Sequence, residues 1–530
     1  MLERTLLWTI RAGFVLLLLT PFIVSRSFFF PFITGKNFYF RIIVELMLGA
    51  WGALALLNPA FRPRVSPLFA AIAAFVAALT LATAFGVYPY RSFWSNFERM
   101  EGLVTQLHFL ALFLVLAHSV KTRREWGIFL IISLVLSMHP ALHGLLQYAD
   151  STNDILQKSK TLQGLGFDPI IGASRPYARF GNSIYLAVYL MFHLFFLAVV
   201  FAGSKLPWAR ILVGAAFLFE LFVFFQAASR GAFLGFIVGV GLAGILAAIF
   251  SRSRAYRIAG FSAVGLVVAL ALLLLFAPYN FLIQRSELLG RFSSAIHSGI
   301  GDDPRIMIWG IAVDAFKARP LFGWGPENFT IPYAKFYNPN LFGNEPWFDR
   351  AHNIFLEWLV AGGIIGFVAY IAIFVCALWM LARVARVRIQ ARFEMILMAG
   401  LVVAYMVQNI FVFDNVMTYV MTAALFAYIH SYAISADNSV SKRYVPRATN
   451  FALAALSVVA SLVLAYALNA KPIRAAGGII AGMESFKTAD PNVIKKAFDD
   501  TIQLNTFGTT EARERIADTM VQIATNIDST

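Results

Sequence analysis

Cysteine is all but absent from this chain: Cys376 is the only one in 530 residues, and it lies inside an apolar run. A single cysteine excludes an intrachain disulfide and any cysteine-based metal site. Charge is scarce as well. Asp, Glu, Lys and Arg make up 13% of the residues, about half the share of an ordinary soluble domain. No stretch alternates polar and apolar residues as the strands of a membrane barrel do. Also missing are a Walker A pattern, an Asp-x-Asp pair of the kind that holds a divalent metal on a nucleotide sugar, and any His/Asp/Glu cluster at metal-ligand spacing. These gaps argue against ATP hydrolysis, and neither a metal nor a cofactor is expected.

What is abundant is apolar: 59% of the residues are hydrophobic, with 52 Phe and 10 Trp, and mean hydropathy is +0.72. Most of such a chain has lipid as its solvent. Runs long enough to cross a bilayer lie at 6–24, 40–58, 66–86, 103–118, 126–148, 182–203, 209–227, 231–250, 257–277, 353–382, 393–413, 415–433 and 450–469, about thirteen spans in all. The first run follows Glu3, Arg4 and Arg11 and lacks a small-residue cleavage site, so it reads as an uncleaved span. The expected fold is all-α and polytopic, with 12–13 membrane helices spread over residues 1–470.

The formal charge of +15 raises the question of nucleic acid, and the placement of the basic residues answers it. They sit in alternate short connections: Arg62 and Arg64; Lys121, Arg123 and Arg124; Lys205 and Arg210; Arg252, Arg254 and Arg257; Arg383, Arg386, Arg388 and Arg392; Lys442, Arg443 and Arg447. That is a topology signal, and no nucleic-acid partner is expected. By the positive-inside rule these loops and the N-terminus are cytoplasmic, and an odd number of spans places the C-terminal tail outside.

One outside connection, 279–351, dwarfs the others. Its seven basic residues are matched by seven acidic ones, so it reads as a folded loop. Within it, Asp303 as N-cap, Pro304 at N1 and Ile306, Trp309, Val313 and Phe316 at spacings of three and four predict a helix ending before Pro320. Arg305 in its first turn either binds an anion beside the free N–H groups or pairs with a neighbouring Asp. Turn chemistry alone explains Gly323 and Gly325.

His352 and Asn353 close the loop at the membrane boundary, just before a span carrying Gly362, Gly363 and Gly366. A neutral imidazole there can accept a proton from a hydroxyl, or it can be structural. Gly362 and Gly366 read as sites of close helix approach. Further outside cations border spans: Arg230 in Ser229-Arg230-Gly231, Arg99 in Phe97–Gly102, and Arg175 and Arg179 before Gly181. Such arginines suit a diphosphate headgroup or simple interfacial anchoring. An activated lipid diphosphate, used outside where nucleotides are absent, fits these features. After residue 470 the composition turns helical and polar, and Ala497-Phe498 followed by Ile502 looks like part of a tetratricopeptide hairpin, although a lone surface pair is as good a reading.

His352-Asn353, nine residues, then Gly363-Ile364-Ile365-Gly366 resembles the signature of the O-antigen ligase and polymerase superfamily. Arg305 with Trp309 and Pro320–Gly323, Ser229-Arg230-Gly231, and Phe93-Trp94 through Glu98–Leu103 match in the same order, over roughly residues 80 to 420. The resemblance implies a glycosyltransferase C-like membrane enzyme of the bacterial inner membrane, metal-independent and inverting. It would move a glycan from undecaprenyl diphosphate to lipid A core, to a protein or to a growing glycan at the periplasmic face. Carried over, His352 would be the base, Arg305 and Arg230 would hold the diphosphate, and Asn353, Arg99 and Arg179 would support them. The competing class is a transporter or transport accessory, since some members are linked to bicarbonate uptake. The few ionisable residues noted in spans, Glu45, Glu220 and Asp414 at an edge, argue against it.

Overall fold

A computed structural model describes residues 1–153, 175–297, 304–343, 347–434, 445–488 and 490–527. The expected Asp303 cap, Asp302, Glu345, Lys442, Arg443 and most of the 149–181 connection lie outside the described residues. Among the described residues the structure is helical, with no strand. The helices are α1 (Leu2–Leu18), α2 (Thr34–Leu57), α3 (Pro67–Phe85), α4 (Pro89–Trp94), α5 (Leu103–Ser119), α6 (Arg123–Asn153) and α7 (Ser183–Gly203). They continue with α8 (Pro207–Gln226), α9 (Arg230–Phe250), α10 (Arg254–Phe276), α11 (Phe281–Arg285), α12 (Glu287–His297), α13 (Pro304–Ala318) and α14 (Thr330–Lys335). The last six are α15 (Ile354–Val387), α16 (Arg392–Gln408), α17 (Val416–Ile434), α18 (Ala448–Ser485), α19 (Pro491–Gln503) and α20 (Thr509–Ile527).

Each expected span is met by a helix. Ten are long and apolar enough to cross a membrane; the other three, α1, α5 and α17, have 17, 17 and 19 residues. Starts are marked by chemistry: Ser66 Oγ accepts from Phe69 N at 3.1 Å ahead of Pro67, and Asn182 Oδ1 accepts from Ile184 N at 2.8 Å. α2 begins at Thr34, six residues ahead of its apolar run, so Lys36 as well as Arg41 is buried in it. The spans thus hold more charge than Glu45 and Glu220.

One large apolar core runs through α1 to α3, α5 to α7 and α15 to α17. Only 11% of the apolar window is buried in α10 and in α18, which puts both at the rim, facing lipid. The close helix approaches fall where glycine meets backbone in α9 and α16. A Cβ on Gly239 would stand 2.5 Å from Gly400 O, and one on Gly235 would stand 2.3 Å from Ala404 O.

The two ends of the bundle differ. One gathers the basic connections, tied by Arg123 to Glu394 at 2.5 Å, Arg392 Nη1 to Phe250 O at 3.1 Å and Lys121 Nζ to Ala60 O at 2.7 Å. The other gathers the 279–351 connection, the 86–102 connection and the chain's C-terminal helices. The 279–351 connection folds around a core of its own, with Ile308, Ile311, Ala312, Ala315, Trp324, Phe329, Tyr333 and Phe348 buried together. α13 begins at Pro304 as expected, but its buried face is Ile308, Ile311, Ala312 and Ala315, whereas Ile306 and Val313 are exposed. Spacing located the helix, and packing chose which of its two apolar stripes is buried.

α18 runs from Ala448 to Ser485 without a break, so residues 470 and 471 lie within one helix. α19 and α20 follow as a hairpin, with Ile494, Phe498, Phe507 and Ala512 buried against α18 and the 86–102 connection.

Candidate active site

His352 stands in the left-handed region at φ 51°, which costs a residue with a Cβ about 1–2 kcal/mol. Its neighbours hold it there. Arg99 forks onto Asp349 at 2.6 and 3.0 Å, and Glu357 accepts from Ala351 N at 2.9 Å. Asn353 Oδ1 accepts from Phe355 N and Leu356 N at 3.0 and 3.2 Å, capping α15, and Ile354 N donates to Asn409 O at 2.9 Å. The imidazole packs edge-on against Phe348 and Phe413, with ring centroids 5.4 Å away in both cases. Nδ1 lies 3.2 Å from Arg350 O. A carbonyl only accepts, so Nδ1 carries the proton of the neutral ring and Nε2 is the basic nitrogen. Burial lowers the His352 pKa; the Arg350 carbonyl and Asp349 oppose that, while the charges of Arg305 and Arg99 reinforce it. The net effect is an imidazole kept neutral.

Beside it lies a buried ionic nest. Arg350 bonds Glu101 at 3.1 Å, Glu327 at close range and Glu357 at 3.5 Å, all four side chains being almost fully buried. Ser95 Oγ donates to Glu327 at 2.7 Å. Glu327 itself sits at φ 66°, a strained conformation for a side chain of its size. Burial raises Glu101 well above the ordinary carboxyl range although Arg350 pulls it down. Burial would also raise Asp349, but the Arg99 bonds and the charges of Arg99 and Arg350 override it and hold that carboxyl low.

The second cluster is opposite in sign. Arg175, Arg230, Arg291 and Arg305 line a cavity of about 70 Å³ with Ile184, Ser229, Gly231, Gln408, Phe411 and Val412, and no carboxylate is among the described residues that line it. Ser229 Oγ accepts from Ala232 N at 3.4 Å and caps α9, which places Arg230 at its first position. Ala228, at φ 46°, turns its carbonyl toward Arg291 Nη1 at 3.0 Å and Arg175 Nη1 at 3.4 Å. Burial, then the charges of Arg175 and Arg230, lower the Arg291 pKa; Glu287 opposes this and Arg305 adds to it. Mutual repulsion of this kind is relieved by an anion. The 408–415 turn joins the two clusters: Gln408, Phe411 and Val412 wall the cavity, while Phe413 touches His352 and lies under the guanidinium groups of Arg99 and Arg350, at 5.0 and 5.5 Å.

Of the residues singled out from sequence, Arg230 and Arg305 meet in this cavity and His352 lies within reach of Arg305's charge. Asn353 acts as a helix cap. Arg99 engages Asp349, and Arg179 donates to Phe22 O at 3.0 Å, away from the cavity lining. Arg291, Arg350, Glu101, Glu327 and Glu357 were not singled out. The glycines have another use than the one read from spacing: Gly363, at φ 60°, breaks α15, and its missing Cβ leaves room for Leu321 O, 2.2 Å from where that atom would stand. Trp324 N and Gly325 N then bond Val360 O and Ala361 O at 2.9 and 3.0 Å, and Ile364 N bonds Pro320 O at 2.8 Å. The Pro320–Gly325 turn therefore docks into the broken helix, and Gly366 has only ordinary van der Waals contacts. Among the described residues no group of three or more His, Cys, Asp or Glu side chains is placed to hold a metal ion.

Residues 215–371, which carry Arg230, Arg291, Arg305, His352 and the Gly363 break, match the family model described as O-antigen ligase. Over that stretch, less than a third of the chain, it is similar to O-antigen ligases. The match supports the resemblance to the O-antigen ligase and polymerase superfamily, whose members are membrane glycosyltransferase-like enzymes. No curated protein matches the chain.

Proposed function

We propose that this O-antigen ligase-type protein transfers a glycan from undecaprenyl diphosphate to an acceptor hydroxyl at the periplasmic face of the bacterial inner membrane. The observation that carries the reading is the pairing of a cavity lined by four arginines with a neutral histidine at the same end of the bundle. The basic connections at the opposite end support, by the positive-inside rule, an orientation with the N-terminus cytoplasmic and the C-terminal helices outside.

In this mechanism His352 Nε2 takes the proton as the acceptor oxygen forms its bond to the anomeric carbon. The bond from that carbon to the diphosphate breaks in the same displacement, with inversion. The leaving group keeps the electron pair, and Arg305, Arg230, Arg175 and Arg291 neutralise its charge. Fixed guanidinium groups are complementary to that charge before the reaction starts and need no reorganisation during it. Lipid A core, a protein hydroxyl or a growing glycan would each serve as acceptor by the same steps.

Vesicles holding the full chain and an undecaprenyl diphosphate-linked glycan test this. His352→Ala lowers transfer by roughly 10²–10⁴-fold, the usual contribution of a general base, with unchanged protein abundance. Wild-type turnover by that variant removes His352 from the mechanism. Mass spectrometry of glycan acceptors in cells with and without the gene distinguishes the three acceptor classes. Unchanged glycoconjugates with altered solute uptake would support transport instead.

A further inference from the structure

Besides α18 and the Phe29 ring, which Arg515 covers at 5.0 Å, the C-terminal hairpin packs on one segment of the 86–102 connection, and that segment is the one that holds the His352 loop. Both Glu511 carboxylate oxygens accept from Phe97 N, at 3.0 and 3.1 Å, and the Phe97 carbonyl is taken on its other side by Thr34 Oγ1 at 3.0 Å. Phe507 stacks on Trp94 at 5.8 Å and 11°, and meets the Phe97 ring at 4.7 Å. A Cβ on Gly508 would stand 1.9 Å from that ring, so the turn between α19 and α20 is shaped to Phe97. Thr501 and Phe498 of α19 close on Gly478 and Gly482 of α18, so the hairpin is seated on a helix that continues into the membrane.

Two and four residues beyond Phe97 come Arg99 and Glu101. Asn96 Oδ1 turns the Arg99 amide at 3.0 Å, Arg99 forks onto Asp349, and Glu101 meets Arg350. Ser95, on the other flank, bonds Glu327. The segment carries two left-handed residues with side chains, Ser95 at φ 70° and Met100 at φ 55°. A conformation strained at two points persists only when surrounding bonds over-determine it. The family match ends at residue 371 and covers neither this segment nor the hairpin.

We propose that the α19–α20 hairpin is the positioning element of the active site, with Glu511 as its key residue, setting His352 through Phe97, Arg99 and Glu101. This rests on the reading of His352 as the base. Glu511 touches no reacting atom; it orders the strained segment from which Asp349 and Arg350 are held. Burial raises its carboxyl to about 7, against the lowering pull of the Phe97 and Glu98 amides. A neutral acceptor at this position is therefore a fair mimic.

The test uses the full chain in vesicles with the undecaprenyl diphosphate-linked glycan as probe, comparing Glu511→Ala with Glu511→Gln. Because the arginine cavity is built from other elements, Glu511→Ala lowers kcat about tenfold with donor KM within twofold, and Glu511→Gln recovers most of the loss by keeping one acceptor for Phe97 N. Hydrogen exchange gives a second readout: Glu511→Ala exposes amides 95–101 and 349–354 together. If Glu511→Ala does not accumulate, Glu511→Asp, one methylene short of Phe97 N, replaces it with the same expectations. Unchanged kcat together with unchanged exchange at 349–354 overturns the proposal. His352→Ala in the same vesicles separates the two questions. If that variant is fully active, the base assignment has failed, and coupled exchange of the two segments still decides whether the hairpin orders the His352 loop.

Discussion

Two clusters centred on arginine lie at the same end of the bundle and are built on opposite logic. Arg350 is enclosed by Glu101, Glu327 and Glu357, three carboxylates to one guanidinium, all of them buried. Arg175, Arg230, Arg291 and Arg305 share a cavity, and among the described residues that line it there is no carboxylate. A buried arginine with its acids around it is a fastener, since its bonds are complete before any ligand arrives. Four guanidinium groups around one cavity repel one another, and Arg291 shows it in a pKa lowered first by burial and then by the charges of Arg175 and Arg230. On the proposed function the first cluster supports and the second binds an anion, and each role can be broken by substitution.

The largest effect is expected at Arg350. Arg350→Met leaves three buried carboxylates without their cation, a change that costs about 3–5 kcal/mol when one partner of a buried pair is removed. Thermal unfolding in detergent should show a collapsed or absent transition. Adding Glu101→Gln and Glu327→Gln to the same variant should restore much of it, because neutral amides tolerate the burial. Stability unchanged by Arg350→Met would mean that the nest contributes little to the fold.

The arginine cavity should respond the other way. Arg291→Gln relieves repulsion, so stability should stay within about 0.5 kcal/mol of the parent or rise, while donor KM increases several-fold. A loss of stability as large as that of Arg350→Met, with donor KM unmoved, would show that the cavity arginines are fasteners too.

The contrast also explains what could be read before any coordinates. Every apolar run became a helix, because a bilayer forces each span to satisfy its own backbone. Pro304 opens α13, Arg230 begins α9 and His352 precedes α15, all features encoded within a few residues. The clusters are different in kind. Arg350 meets Glu101 across 249 positions of chain, and Arg291 joins Arg230 only because α12 folds back over the start of α9. Nothing local in Glu101 or Glu327 distinguishes it from a solvated carboxylate. The break in α15 was hidden for another reason: Gly363 sits in a small-residue run that membrane packing explains equally well, and only its φ and the Leu321 carbonyl beside it show that a loop enters there.

The smallest effect is also the one that joins the two clusters. As the proposed base, His352 works only when neutral, so transfer should fall as pH drops through its pKa. Burial and the Arg305 charge both lower that pKa, so the acidic limb of kcat/KM should lie below the usual histidine value of about 6.5. Arg305→Gln removes one of the lowering charges. The imidazole then holds its proton more tightly, and the limb should move to higher pH by a fraction of a unit, on top of a weakened donor affinity. Arg305→Lys keeps the charge and loses the fork, so its limb should stay near that of the parent while donor KM rises. If the limb of Arg305→Gln stays where it was, or moves down, His352 and Arg305 do not share a field, and the cavity and the base would have to act on different molecules.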